Sequence, residues 1–186
     1  DYRVNDSVYN SHGFLIHDYF FAKTLDKLRA GGVAAYITTK GTMDKESTKV
    51  REFLFKKAEL LGAIRLPNTA FKNAGTKVTA DILFLQKREK EIENPEWIAV
   101  TEDAQGFRIN SYFVQHPEMI LGTMQEISGP YGMETTCVEK EGVPLGERLR
   151  AAISHITGHI PERVEEERAE FRYEAEQPTD APDASE

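Results

Sequence analysis

Phe71 is the side chain whose surroundings suggest chemistry most directly. It stands in a turn-rich stretch, residues 67–77, whose Asn, Thr, Gly and Lys residues offer no periodic apolar face for it to join. Lys72 and Lys77 bracket the ring with positive charge, which suits stacking of a nucleobase close to a phosphate backbone. The competing interpretation is that Phe71 folds back onto the core, and the residues alone leave both open.

Three further basic residues, Arg3, Lys40 and Lys45, fall in predicted loops. In a doubly wound sheet, these loops and residues 67–77 would lie together beyond the carboxyl ends of the strands. Ligands bind at that edge in open α/β sheets. The residues therefore favour a half-domain that faces a nucleotide.

Other residues that could carry chemistry have plainer interpretations. Gly31-Gly32 follows a predicted helix rather than a strand, so we interpret the pair as a helix C-cap and not as a dinucleotide fingerprint. His155 and His159 are four residues apart, but the helix there is weak and no third ligand is near, so we interpret them as surface histidines. Asp18 stands in the first turn of a predicted helix, where the helix dipole favours a carboxylate.

Helices and strands alternate along the first ninety residues, which predicts an α/β fold. Apolar spacing predicts a helix over Ile16–Leu28, a strand over 33–38, a helix from an N-cap at Ser47 to Gly62, and strands over 63–66 and 78–86. The unbroken apolar run at 33–38 is typical of a parallel sheet that is covered on both faces. Three strands are too few to close a core, so we expect half of a doubly wound sheet.

The character of the chain changes after Lys90. Residues 97–100 and 107–109 predict two short strands around a turn, and residues 110–122 form a compact aromatic-rich segment followed by a Gly/Pro loop at 129–132. One more helix is predicted over 145–156. Residues 161–176 are charged and helix-prone, and residues 177–186 have a disordered composition. The predicted division is therefore 1–90, 91–160 and 161–186.

Composition narrows the class of protein. A chain of 186 residues with 40% hydrophobic and 29% charged residues allows one domain or slightly more. The single cysteine, Cys137, excludes a disulfide framework and suits a reducing compartment. No apolar run approaches the roughly 20 residues that span a membrane. Because the chain begins without Met or a signal peptide, we expect a piece of a larger cytoplasmic protein.

The net charge of −8 is distributed unevenly. Residues 1–90 carry 16 Lys and Arg against 10 Asp and Glu, whereas residues 91–186 carry 7 against 21. A basic half suits a polyanion such as nucleic acid, since phosphate neutralisation drives that association. An ordinary surface with an acidic tail explains the same charges, so charge alone leaves both readings open.

Several stretches, taken in order, resemble the adenine-N6 DNA methyltransferases, and most closely the large mobile-element type in which a methylase domain is joined to a helicase-like region. The resemblance covers roughly residues 1–155. The matching stretches are Asp1–Asp6, the helix His17–Leu28 with Gly31-Gly32, the strand Val33–Thr39, Val50-Arg51, Arg65-Leu66-Pro67, Ala70-Phe71, Lys77–Lys87 and the extension Asn110–Gly122.

The resemblance implies a partial Rossmann-like class-I methyltransferase sheet with a small α+β C-terminal extension. It implies S-adenosylmethionine as the cofactor and double-stranded DNA as the partner, with adenine flipped out of the duplex. By resemblance, Phe71 contacts the flipped adenine and Phe20 packs near the cofactor's adenine. Arg3, Lys40, Lys72 and Lys77 then contact DNA.

In this family the catalytic tetrapeptide would end just before Asp1, and the glycine-rich cofactor loop would lie further upstream. We therefore expect the chain to be the C-terminal half of a methylase domain, inactive alone and completed by the upstream half. Two alternatives stay open: an RNA or protein methyltransferase half-domain, and a non-catalytic DNA-binding or scaffolding module of a helicase-like protein.

Overall fold

A computed structural model describes Tyr9, residues 14–129 and residues 132–159. The first part holds α1 (Ile16–Lys27), β1 (Val33–Thr39), the one-turn α2 (Gly41–Asp44), α3 (Lys49–Lys57), β2 (Ala58–Leu66), a 3-10 turn (Lys72–Ala74) and β3 (Ala80–Lys87). The second part holds β4 (Val100–Glu102), β5 (Arg108–Asn110), α4 (Ser111–Gln115), a 3-10 turn (Pro117–Met119), β6 (Gly122–Gly129), β7 (Gly132–Glu139) and α5 (Leu145–Ile153).

The first three strands form one sheet in the order β1-β3-β2. Both outer strands pair antiparallel with β3, with Tyr36 opposite Leu83 and Ala63 opposite the same Leu83. The predicted parallel pairing is therefore wrong for every neighbouring pair in this sheet. β1 and β2 do run in the same direction, but β3 lies between them because its register joins it to both.

The prediction that β1 is covered on both faces is also wrong for the described residues. α1 packs on one face, where the rings of Phe21 and Tyr36 lie 4.6 Å apart. On the opposite face Ile37 is 61% exposed and Val33 39% exposed. Among the described residues no strand pairs with the second edge of β1. This strand thus ends the described sheet with an open edge and an open apolar face.

The helices depart from prediction in detail. α1 matches the predicted span closely, but its buried apolar residues are Phe21, Ala22 and Leu25, whereas Ile16 and Phe20 are exposed on another side. Asp18 accepts a hydrogen bond from the Leu15 backbone N–H at 3.0 Å, which caps the helix.

The segment between the first two predicted strands also differs. The cap of α3 is Thr48 rather than Ser47. The helix ends at Lys57 instead of Gly62, because the chain passes directly into β2 at Ala58. β2 is thus longer than the predicted strand over 63–66, and it contains an irregular register between Leu60 and Gly62.

Beyond residue 90, β4 and β5 pair around the predicted turn, with Thr101 opposite Ile109. The predicted loop around Gly129–Gly132 proves instead to join β6 and β7, which pair over eight residues each, from Gly122 opposite Glu139 to Gly129 opposite Gly132. Helix α5 ends at Ile153, three residues before its predicted end. The residues predicted as a charged helix and a disordered tail, 161–186, lie outside the described residues.

One hydrophobic cluster joins the sheet to the segments after it. It contains Leu54 and Leu83 from the first part, and Phe113, Met119 and Cys137 from the second. Burial raises the pKa of the Cys137 thiol to about 12, so this residue remains a protonated thiol and not a nucleophile. No helix of the described residues is both long and apolar enough to cross a membrane.

A buried ion cluster lies inside this core. The Arg65 guanidinium on β2 is fully buried and pairs with both oxygens of Asp81 on β3 at 2.9 Å. Its third nitrogen lies 2.8 Å from Asp44 Oδ2, and its carbon lies 4.2 Å from the centre of the Phe113 ring. Burial alone would lower the pKa of Arg65, but the two carboxylates outweigh burial and hold that pKa above its ordinary value.

We predict that Asp81→Asn lowers the free energy of unfolding by about 3–5 kcal/mol, because it leaves a buried guanidinium without its full counter-charge. The matched control is Glu46→Gln, which removes the exposed partner of Arg108 at 2.8 Å and should cost no more than about 1 kcal/mol. Urea unfolding of both variants measures the difference. Equal losses in the two variants would contradict the special role of the buried pair.

Candidate functional site

Two loops lie at one edge of the sheet, one after β1 and one between β2 and β3. β1 ends at Thr39 and β2 ends at Leu66, and both residues lie opposite Ala80, the first residue of β3. The Lys40 backbone N–H donates to the Thr79 carbonyl oxygen at 3.1 Å. The loops that carry Lys40 and Phe71 therefore start side by side, as expected for the carboxyl ends of β1 and β2.

Phe71 combines the two interpretations that the sequence left open. It is half-buried and packs against the core cluster, so part of its ring belongs to the core. It directly precedes the 3-10 turn, whose end at Gly75 has a φ of 78°, a left-handed conformation that favours glycine. The residue also keeps some exposure to solvent, so neither interpretation is excluded.

Lys72 and Lys77 follow this ring in the same loop, and both are exposed. Within the described part of the chain neither ammonium group makes an ion pair. Lys45, just after α2, is exposed as well. These cations are thus available to an anionic ligand at the edge of the sheet.

Lys40 differs from these lysines. Its side chain is half-buried and Nζ donates a hydrogen bond to Thr135 Oγ1 on β7 at 2.8 Å. Burial lowers the pKa of Lys40, Arg65 adds to that effect, and the nearby carboxylates of Asp44, Glu134 and Asp81 oppose it. Lys40 lies at the predicted edge, but its ammonium group already has a protein partner.

The structure does not gather every predicted residue in one place. Phe20 lies on α1 rather than in the edge loops, with 57% of its surface exposed and its ring 5.6 Å from that of Tyr19. Arg3 lies outside the described residues. Phe71, Lys72, Lys77 and Lys40 therefore lie in loops that start at this edge, whereas the predicted cofactor contact, Phe20, lies on α1.

Sequence reasoning missed the β6–β7 hairpin, although it contacts this edge directly. Asn68 donates from its backbone N–H to the Cys137 carbonyl at 2.7 Å, and Thr69 Oγ1 donates to Glu139 Oε2 at 2.8 Å. The signal was present in the sequence, because Gly129-Pro130 and Tyr131-Gly132 are turn dipeptides between two strand-compatible runs. It was interpreted as a loop alone.

Two other features do not belong to the edge. A cleft of about 490 Å³ lies between the β4–β5 turn, α4 and β6, and none of its lining residues comes from the loops that carry Lys40 or Phe71. Its walls include Phe107, Phe113 and Met124. Among the described residues, no group of three or more His, Cys, Asp or Glu side chains could hold a metal ion.

Comparison with known proteins identifies the family. The family described as N-6 DNA methylase matches residues 9–126, which is more than half of the chain. The chain belongs to this family. The match includes the whole three-stranded sheet and the edge loops, and it ends within β6.

A curated relative matches over a shorter stretch. The chain is similar to the "Defense against restriction protein B" of Escherichia phage P1, with 35% identity over 75 residues. Those residues are 40% of this chain and 3% of the phage protein. The chain thus spans a small part of the length of this relative. No solved structure matches the chain.

Proposed function

We propose that this chain is the C-terminal half of the methylase domain of an S-adenosylmethionine-dependent adenine-N6 DNA methyltransferase. The observation that carries the proposal is the family match over residues 9–126. The matched segment contains an edge loop in which a half-buried ring, Phe71, is followed by two exposed lysines that make no ion pair among the described residues. That arrangement suits one base and its neighbouring phosphates.

On this proposal the edge binds the target side of the reaction. The exposed part of Phe71 stacks against adenine that has left the duplex, while its buried part keeps the ring fixed. Lys72 and Lys77 neutralise phosphates next to the extruded nucleotide. Lys40, bound to Thr135, contributes positive charge from behind the loop.

S-adenosylmethionine would supply the methyl group as a sulfonium. The described residues offer Phe20 as an apolar surface for its adenine, because this ring is largely exposed. An exposed ring supplies no hydrogen-bond donor to the carboxylate of the cofactor. Further contacts to the cofactor would then come from other residues, and we expect the chain alone to be inactive.

The upstream half of the methylase domain is the partner that β1 suits. Its unpaired edge can accept another strand, and the exposed Ile37 and Val33 lie on the face that lacks cover. Many doubly wound sheets carry one antiparallel strand among otherwise parallel ones. β3 takes that place here, so β1-β3-β2 would be one end of a partial Rossmann-like sheet, followed by the small extension at 91–160.

The wider setting belongs to the same proposal. The phage P1 relative is far longer than this chain, which is compatible with a methylase domain fused to a helicase-like region. A free, buried Cys137 agrees with a cytoplasmic location. The name of the phage relative suggests a role against restriction, so methylation that protects DNA is the expected purpose.

A second candidate is a DNA-binding scaffold without catalysis. The name of the phage relative favours it, because protection against restriction is possible by covering DNA as well as by methylating it. The half-exposed ring and the free lysines would serve either role. Methyl transfer is the property that separates them.

The experiment is transfer of labelled methyl from S-adenosylmethionine to DNA by the full-length natural protein, with the 186-residue chain and a matched RNA substrate in parallel. We expect N6-methyladenine in DNA with the full-length protein and none with the chain alone. Label on RNA but not on DNA would overturn the choice of substrate. Binding of DNA without any label would support the scaffold instead.

For Phe71, we predict that Phe71→Ala in the full-length protein weakens target DNA binding or transition-state stabilisation by about 1–3 kcal/mol, since one stacked ring is lost. Because the ring is half-buried, some loss of melting temperature is also expected. Phe107→Ala is the matched control, a half-buried ring on the same core but outside the edge loops. Equal losses of methyl transfer per folded molecule in both variants would make Phe71 a core residue.

For the lysines, we predict that Lys72→Ala with Lys77→Ala reduces the slope of log affinity against log salt by about 2, because each phosphate contact contributes about 0.9. The control removes the same charge at the opposite end of the sheet, with Lys27→Ala and Lys90→Ala. At that end of the sheet, the Gly31 backbone N–H donates a hydrogen bond to the carbonyl oxygen of Lys87, the last residue of β3. DNA titrations at several salt concentrations measure both slopes, and equal changes would remove Lys72 and Lys77 from the interface.

A further inference from the structure

β7 contacts the start of the loop after β1 and both ends of the loop between β2 and β3. Lys40 Nζ donates to Thr135 Oγ1 at 2.8 Å, Asn68 Nδ2 donates to Thr136 Oγ1 at 3.1 Å, and the hydroxyls of Thr79 and Thr136 lie 3.0 Å apart. One residue along, the Cys137 backbone N–H donates to Thr79 Oγ1 at 2.9 Å. Three consecutive residues of β7 thus hold the end of β1, the end of β2 and the start of β3.

The contacts among Thr79, Thr136 and Cys137 are shielded from water. Thr79 is 4% exposed and Thr136 is 6% exposed, and Cys137 is fully buried beside them. A buried hydroxyl that loses its partner has no water to replace it, so each contact is costly to break. The arrangement of the hydroxyls is therefore a fixed feature of this edge rather than a fluctuating surface contact.

The loop that carries Phe71 is fastened at its two ends. Asn68 begins it and Thr79 closes it, and the Val78 N–H donates to the Asn68 carbonyl at 3.2 Å. Thr136 contacts both ends at once. Between them, residues 72–77 are exposed, so the position of Lys72 and Lys77 depends strongly on how the ends are held.

The charge of the hairpin indicates that it positions the loop instead of contacting phosphate. β6 and β7 contain no Lys or Arg and carry Glu126, Glu134 and Glu139. Acidic side chains repel the phosphate backbone. The hairpin turns its polar contacts toward the loops, which carry the lysines.

We propose that the β6–β7 hairpin is a clasp that sets the geometry of the Phe71 loop, with Thr136 as its central positioning residue. The clasp consists of Thr135, Thr136 and Cys137 of β7 with their partners Lys40, Asn68 and Thr79. Its consequence for methyl transfer rests on the proposed function. Thr136 itself touches neither DNA nor cofactor in this proposal and acts through the loop.

The test begins with Thr136→Val, which keeps the shape of the side chain and removes the hydroxyl. Thr136→Ser restores the hydroxyl, and Thr123→Val, at an exposed position on β6, is the matched control. Limited tryptic digestion of the full chain under native conditions then compares cleavage after Lys72 and Lys77 with cleavage after Lys27 and Lys90. We expect cleavage inside the loop to be at least about fivefold faster in Thr136→Val, with cleavage after Lys27 and Lys90 unchanged.

The same variants in the full-length protein test the consequence. We expect Thr136→Val to raise KM for DNA and lower kcat/KM by about tenfold, with Thr136→Ser close to wild type and Thr123→Val unaffected. Faster cleavage at all four lysines would mean general destabilisation and overturn the clasp, as would unchanged cleavage in the loop. Faster loop cleavage with unchanged kcat/KM would overturn the positioning role.

Two further provisions distinguish a failure of the clasp from a variant that does not fold and from a failure of the proposed function. If Thr136→Val does not fold, Asn68→Ala removes one of the same hydrogen bonds from a half-buried position and takes its place. If wild-type protein transfers no methyl, the proposed function fails. In that case the clasp is judged by the tryptic pattern and by the affinity of each variant for DNA.

Discussion

The structure depends above all on the burial of one positive charge, that of Arg65. A guanidinium removed from water is costly unless every direction around it is satisfied. Here Asp81 binds two of its nitrogens, Asp44 approaches the third, and Phe113 covers one face of the plane. Since Arg65 lies on β2, Asp81 on β3 and Asp44 in α2, the sheet and the turn after β1 must assemble together for the charge to be satisfied.

The same cluster ties the second part of the chain to the first and sets the starting points of the edge loops. Asp44 Oδ1 accepts the Asn110 backbone N–H at 3.0 Å, and the side chain of Asn110 donates to the carbonyls of Met43 and Trp97. The loop that begins at Lys40 also starts close to the cluster, because Lys40 precedes Asp44 by four positions. The ion cluster and β7 thus both hold the loops of the candidate site in place.

Local patterns predicted the elements better than their partners. The sequence predicted α1 from its apolar spacing and β3 from its β-prone run. It also predicted the edge of the sheet at which the loops that carry Lys40 and Phe71 start. The sequence did not predict the relative direction of the strands, because the apolar run of β1 is equally compatible with a parallel or an antiparallel neighbour. The open face of β1 was not predicted either, because Val33 and Ile37 are apolar and such residues are typical of a covered face.

The misses in the site share a physical cause. Arg65 and Asp81 are separated by sixteen residues and resemble surface charges in the sequence, so their pairing is visible only once β2 and β3 are in register. Thr79 and Thr136 are fifty-seven residues apart and belong to segments whose contact no local pattern encodes. Long-range polar contacts of this kind fixed the site, whereas sequence reasoning found only its exposed ring and lysines.

Some parts of the candidate site are positioned by contacts within the described residues and others are exposed, and this difference bears on the proposed mechanism. Phe71 and its lysines are positioned by contacts within the described residues, because the core holds part of the ring and the clasp holds both ends of its loop. A pre-positioned ring loses little freedom when a base stacks on it, so more of the stacking energy remains for binding. Phe20 and the open face of β1 have no such support. On the proposed function, the chain carries a target side that its own contacts position and an open cofactor side, which is the asymmetry expected if the upstream half supplies the methyl donor.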